Sequence, residues 1–200
     1  MLNRRCKEPS WTAIETFRRL YFAFNNADVE QKQALTTELP VEEWDRLINT
    51  DLHVIFLRLK QSSSDAQARR RMSHSEYVFG CGSGVTGFLA EAAHVTSKHG
   101  VIGLIKAAAL DNAQPNIRIN AVAPENIDTS MIQRFSDGTP EGRQSRLSQE
   151  PIGRMYYPQE IASAVIWLCS DAASFVTGHT MVVDGGQTIG WCRYIGFSDS

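Results

Sequence analysis

Residues Ala92–Leu110 read AAHVTSKHGVIGLIKAAAL, and the pattern of this stretch predicts a helix. Val95, Ile102, Leu104, Ile105, Ala108 and Ala109 recur near the helical period, and side chains four apart share a face. His94 and Lys98 are four apart and so point the same way. A lysine beside a titratable group is raw material for proton transfer, because its positive charge lowers a neighbour's pKa. Spacing alone equally allows an exposed polar pair on a solvated face, so the flanking chain has to decide.

Upstream of this helix, GCGSGVTG at Gly80–Gly87 has the composition of a flexible loop, and Tyr77-Val78-Phe79 reads as a brief strand. Before it, Gln61–Ser75 is polar and reads as a loop or frayed helix end, with Arg69–Arg71 as a solvated terminus. Pro40 followed by Glu42 and Glu43 suits a helix start, and Trp44, Leu47, Ile48, Leu52, Ile55, Phe56 and Leu59 continue one long helix. Trp11–Leu20 reads as a short helix. Tyr21–Phe24 reads as a buried strand that ends at the turn-forming pair Asn25-Asn26.

Downstream, Ile117–Ala123 is a strand stopped by Pro124, and residues 126–150 show little periodicity, as a mobile lid would. Pro158-Gln159-Glu160 opens a further helix, and Thr180–Val183 is a strand closed by the turn Asp184-Gly185-Gly186. Trp44, Trp167 and Phe175 are expected in the core. Strand alternates with helix throughout, which predicts an α/β fold with a parallel sheet covered by helices on both faces.

The 200 residues, 42% hydrophobic with net charge −2, suit one globular domain with a substantial core. No run is long and apolar enough for a bilayer, and MLNRRCKEPSW has no apolar segment of the secretory type, so a cytoplasmic setting is the expectation. Near-balanced charge argues against a nucleic-acid surface, and no membrane partner is expected. Cys6, Cys81, Cys169 and Cys192 show neither CxxC nor Cys/His zinc spacing, which predicts free thiols and no metal site. His53, His74, His99 and His179 lack carboxylate or Cys partners at ligand spacing and read as surface or satisfied polar residues.

Taken in order, these segments resemble the short-chain dehydrogenase/reductase family, which moves hydride between a nicotinamide cofactor and a carbonyl or alcohol on a Rossmann sheet. Asn25-Asn26-Ala27 resembles the NNAG strand end, LPVEEWDRLINTDL the helix before the catalytic loop, SKHGVIGLIKAAAL the catalytic helix, and NIRINAVAP the strand leading to the PG motif. IGRMYYPQEIASAVIWLCSDAASFVTGHTMVVDGG is similar to the C-terminal signature. The resemblance covers 11–186 within a single domain of 1–200, leaving 187–200 as a tail. It implies NADP or NAD as cofactor, touched by Asn26, Ala27, Lys98, Ile127 and Thr129, and a small carbonyl or alcohol as substrate.

The family's catalytic tetrad is Asn, Ser, Tyr and Lys. In its register Lys98 takes the Lys position, His94 the Tyr, Cys81 the Ser, and Asp51 the Asn that holds a relay water. Asp28 and Glu125 replace the glycines of NNAG and PG, placing anions toward a negatively charged cofactor. No TGxxxGIG turn precedes Asn25-Asn26, so the sheet is expected to lack the first βαβαβ half, to leave Tyr21–Phe24 as a bare edge, and to bind dinucleotide weakly.

Two readings of function follow. One is an NAD(P)-dependent oxidoreductase working through His94, whose ring nitrogen reaches less far from the backbone than a phenol oxygen. A thiol nucleophile at Cys81 activated by Lys98 is a variant with no identifiable oxyanion donors. The other is a pseudoenzyme that forms homo-oligomers, or hetero-oligomers with an intact relative, through the helices around residues 42–60 and 92–111, the C-terminal helix and strand, and the apolar tail.

Overall fold

The computed structural model describes residues 15–17, 21–26, 28–68, 75–79, 84–114, 116–124, 127, 139–148 and 150–189. Four strands, β1 (Phe22–Asn25), β2 (Ser75–Phe79), β3 (Arg118–Pro124) and β4 (Thr180–Val183), form one sheet in the order β1-β2-β3-β4, parallel at every pairing. The crossovers are helical. Helix α1 (Val41–Leu47) runs through a π-helical segment, Ile48–His53, into α2 (Val54–Ala68), and α3 (Ala92–Asn112) links β2 to β3. Helices α4 (Pro140–Leu147) and α5 (Pro158–Cys169) lie between β3 and β4.

Strand β3 is buried along its whole length, and its two-residue alternation divides the core. Ile119 and Ala121 face one way, against Ile55 and Leu59 of α2 and Val101, Ile105 and Ala109 of α3. Val122 faces the other way, against Tyr156, Ile161 and Leu168. Two further residues on this second face are polar and fully engaged. Buried Arg118 donates to Leu168 O at 2.7 Å, placing a cation at the C-terminal end of α5, where the helix dipole favours it. Asn120 donates to Val176 O (3.0 Å) and accepts from the His179 amide (3.1 Å), pinning the approach to β4. The parallel α/β architecture with helices on both faces is therefore as the alternation predicts.

Several local expectations are corrected. Tyr21–Phe24 is not a buried strand but the edge that the resemblance also implied: among the described residues β1 pairs only with β2, and Phe22 and Phe24 are 46% and 45% exposed. Of the two readings of the polar run after Lys60, the helix end holds and the loop does not: the helix continues as far as Ala68. The segment 126–150 contains α4, which starts at Thr139-Pro140-Glu141; the Thr139 hydroxyl accepts from the Gly142 amide at 3.1 Å, an N-terminal signature that hydrophobic periodicity does not register. Trp44 and Trp167 are exposed and Phe175 fully so, since bulk alone does not say which way a helix or turn residue faces. His53, His99 and His179 are at the surface. Of the Trp11–Leu20 helix only Glu15–Phe17 is described, and it is helical; Arg69–Arg71, His74, three of the four cysteines and the tail from Gly190 lie outside the described residues.

The start of α5 carries a pH-dependent contact. Glu160 accepts from the Tyr157 amide at 3.0 Å and pairs with both Arg154 guanidinium nitrogens at 2.7 and 2.6 Å, which holds its carboxyl at about 2, below the ordinary 4.5. A depressed folded-state pKa contributes stability above the unfolded value and loses it as pH falls through the folded one. The difference in unfolding midpoint between the natural chain and Glu160→Gln should therefore hold above pH 4.5 and shrink toward zero by about pH 2. Both groups are solvent-exposed, so the difference should be small and weakened by salt.

Candidate active site

Helix α3 buries Ala93, His94, Ser97, Lys98, Val101, Ile102, Ile105, Ala109 and Asn112, one continuous stripe at helical spacing. From Val101 to Ala109 the stripe is apolar and packs on the sheet. Its N-terminal part is His94, Ser97 and Lys98, so the pair read from the sequence does share a face. That face is not solvated: Lys98 is 2% exposed. A buried ammonium requires a partner, and Asp28 supplies it, with Oδ1 at 2.8 Å from Lys98 Nζ. The same Asp28 oxygen accepts from the Val29 amide at 2.9 Å.

Asp51 arrives from the other side on the π-helical segment. Asn49-Thr50-Asp51 is a run of poor helix formers within an otherwise strong helical sequence, and the extra residue per turn there accompanies a fully buried Asp51. Its Oδ1 lies 3.3 Å from the Val29 nitrogen, and its Oδ2 lies 3.7 Å from His94 Nδ1. One backbone amide, that of Val29, thus bridges the two carboxyl groups.

Burial pushes the Asp51 carboxyl up, and the neighbouring Asp28 charge adds to this against the opposition of His94 and Lys98. Burial also acts to raise Asp28, but the Lys98 charge, the adjoining Asp51 carboxyl and the contact with the Lys98 ammonium outweigh it and hold Asp28 below the usual carboxylate range. Asp28 is therefore the ionised partner of Lys98, and of the two acids Asp51 keeps a proton more readily.

Gln31, which no sequence signal singles out, fixes where this face begins. Its buried amide accepts from the His94 backbone N–H at 2.9 Å and donates to Ala90 O at 3.0 Å. Ala90 O also accepts from the Ala34 amide at 3.0 Å, and Ala90 itself sits at φ 63°, a left-handed conformation held by these two bonds. The segment 28–34 is thereby clamped across the N-terminus of α3, and Asp28 is aimed at Lys98.

The structure thus brings together Lys98, His94 and Asp51, three of the four residues in tetrad register, and adds Asp28, read from the sequence only as a misplaced anion. Cys81, Ala27, Thr129 and Glu125 lie outside the described residues. Asn26 is exposed at the end of β1, and half-buried Ile127 forms an isolated parallel bridge with Tyr156.

The chain is 38% identical over 178 residues to a cyclohexanol dehydrogenase of Acinetobacter sp. (strain SE19), covering 88% of this chain and 67% of the relative. It is 33% identical over 183 residues to the 3-oxoacyl-[acyl-carrier-protein] reductase FabG of Thermotoga maritima, covering 92% and 72%. Among solved structures, ElxO with NADP bound matches with a TM-score of 0.85 at 28% identity, over 92% of this chain and 74% of that one. Levodione reductase matches equally, at 0.85 and 28%, over 93% and 73%. The chain therefore spans about two thirds to three quarters of the length of these relatives. A family profile described as Enoyl-(Acyl carrier protein) reductase matches residues 5–188, and with a Rossmann-like α/β sheet that aligns on these enzymes, the chain belongs to the short-chain dehydrogenase/reductase family.

Proposed function

We propose that this chain is an oxidoreductase of the NAD(P)-linked, alcohol-or-ketone class by construction, in which the proton relay has been replaced by a buried charge cluster and hydride transfer is strongly attenuated. The observation that carries this reading is the 2.8 Å ion pair between Lys98 and Asp28. In the resembling family the lysine sharpens a tyrosine acid and helps to hold the cofactor. Here its ammonium is neutralised by a carboxylate, and the residue in the tyrosine's register, His94, faces Asp51 instead.

These residues do not fit a tightly held dinucleotide. An ionised Asp28 in the register of the NNAG glycine repels a phosphate-bearing ligand, and the cation that would offset this repulsion is already paired. Titration with NADPH, followed by fluorescence, should give a dissociation constant weaker than about 100 μM. A low-micromolar constant would overturn this reading.

A second reading, a non-catalytic subunit that assembles with itself or with an intact relative, is favoured by a different observation. Trp44 of α1, Phe56 of α2, Leu110 of α3, Ile166 and Trp167 of α5 and Val182 of β4 are large apolar residues left exposed, on the elements through which the resembling family associates. Light scattering on the titrated sample separates the two: a stable oligomer that neither binds NADPH nor turns over a ketone supports the second. No helix among the described residues is long and apolar enough to cross a membrane.

A further inference from the structure

We infer that Asp28, Asp51 and His94 form a binding site for a single divalent transition-metal cation of the zinc type. Each residue offers one ligand atom, and the three atoms lie within 4.8 Å of one another. Two carboxylate oxygens and one imidazole nitrogen are a ligand set that zinc, cobalt(II) and manganese(II) accept. The sequence reading places no metal here because the ligands come from three separated segments and none is a cysteine.

Geometry distinguishes this cluster from an ordinary ion pair. Ligands bound tetrahedrally at about 2.0–2.1 Å from zinc stand roughly 3.4 Å apart. Asp51 Oδ2 and His94 Nδ1 are 3.7 Å apart, too far for a hydrogen bond between them and close to the edge of such a tetrahedron. Asp51 Oδ2 is also buried without a hydrogen-bond partner, although its residue is 1% exposed. A desolvated carboxyl oxygen left this way is costly, and a cation between it and the imidazole satisfies it.

The remaining contacts leave the site correctly charged. Asp28 Oδ1 and Asp51 Oδ1 are both occupied by the Val29 amide, the former also by Lys98, which fixes the two carboxyl planes before any ion arrives. A cation bound here displaces the proton that Asp51 otherwise holds more readily, and two carboxylates and one ammonium then leave one net negative charge for it. Three protein ligands leave a fourth position for water or a substrate oxygen. This site does not depend on dinucleotide binding, and the test below contains neither NADPH nor a ketone.

The test uses the full chain, stripped with chelator and titrated with cobalt(II) and then zinc(II). One equivalent of cobalt should bind with visible d–d absorption lacking a thiolate charge-transfer band, zinc should displace it, and the thermal midpoint should rise with added zinc. Asp51→Asn and His94→Gln, which keep size and shape, should each weaken zinc binding at least about tenfold, whereas His53→Gln at the surface should leave it unchanged. Circular dichroism confirms that each variant is folded. Failure of the natural chain to take up cobalt, a spectrum dominated by thiolate, or equal affinity in Asp51→Asn and the natural chain would each overturn the assignment.

Discussion

Lys98→Met should destabilise the chain by about 3 kcal/mol, at the low end of the range for removing one member of a buried ion pair. The size of the effect comes from what is left behind. Lys98 is 2% exposed, and its ammonium is the cation paired with Asp28 at 2.8 Å, with Asp51 adjoining. Methionine fills most of the same volume, so packing loss is minor and the cost is an uncompensated carboxylate in a desolvated site. Asp28 retains some contact with solvent, which keeps the effect below the upper limit. Adding Asp28→Asn to Lys98→Met should recover a large part of the loss, because it removes the orphaned charge. The check is denaturant unfolding of the four members of this double-mutant cycle. A loss under 1 kcal/mol for Lys98→Met, or no recovery in the double variant, would show that the pair is solvated and the site looser than described.

The sequence made much of this cluster visible but not its state. Helix α3 was legible because its apolar residues repeat at the helical period, and the shared face of His94 and Lys98 followed from their spacing alone. Their burial did not follow, since charged residues at the end of an apolar stripe read as its solvated limit until a partner is known. That partner, Asp28, lies in a different segment, and no local pattern reports a contact between a loop after one strand and a helix after another. Asp51 was placed by family register, yet the π-helical segment that carries it has no signature beyond a run of poor helix formers. Gln31 was illegible altogether, because its two hydrogen bonds join elements distant in sequence. The exposed Trp44, Trp167 and Phe175 failed for the opposite reason: composition suggested a core, and only packing could show that these faces have no cover among the described residues.

Restoring the family's tetrad together with the NNAG glycine, as Asp28→Gly, Asp51→Asn, Cys81→Ser and His94→Tyr, should raise ketone reduction by about 10²–10⁴-fold over the natural chain, the usual worth of a positioned general acid. The rate is to be compared at NADPH concentrations above the dissociation constant of each protein. His94→Tyr alone should fall well short, because Lys98 would still be paired with Asp28 and could not act on the new phenol. Asp28→Gly alone removes that ion pair but supplies no acid of sufficient reach. The gains should therefore be strongly non-additive, as for groups that act as a unit. The KM for NADPH should improve less than kcat, because three of the four changes act on the proton relay and only Asp28→Gly removes a charge from the cofactor side. A quadruple variant no faster than the natural chain would place the defect outside the relay. A natural chain that already reduces ketones as fast as its restored form would show that His94, held beside Asp51, serves as the acid after all.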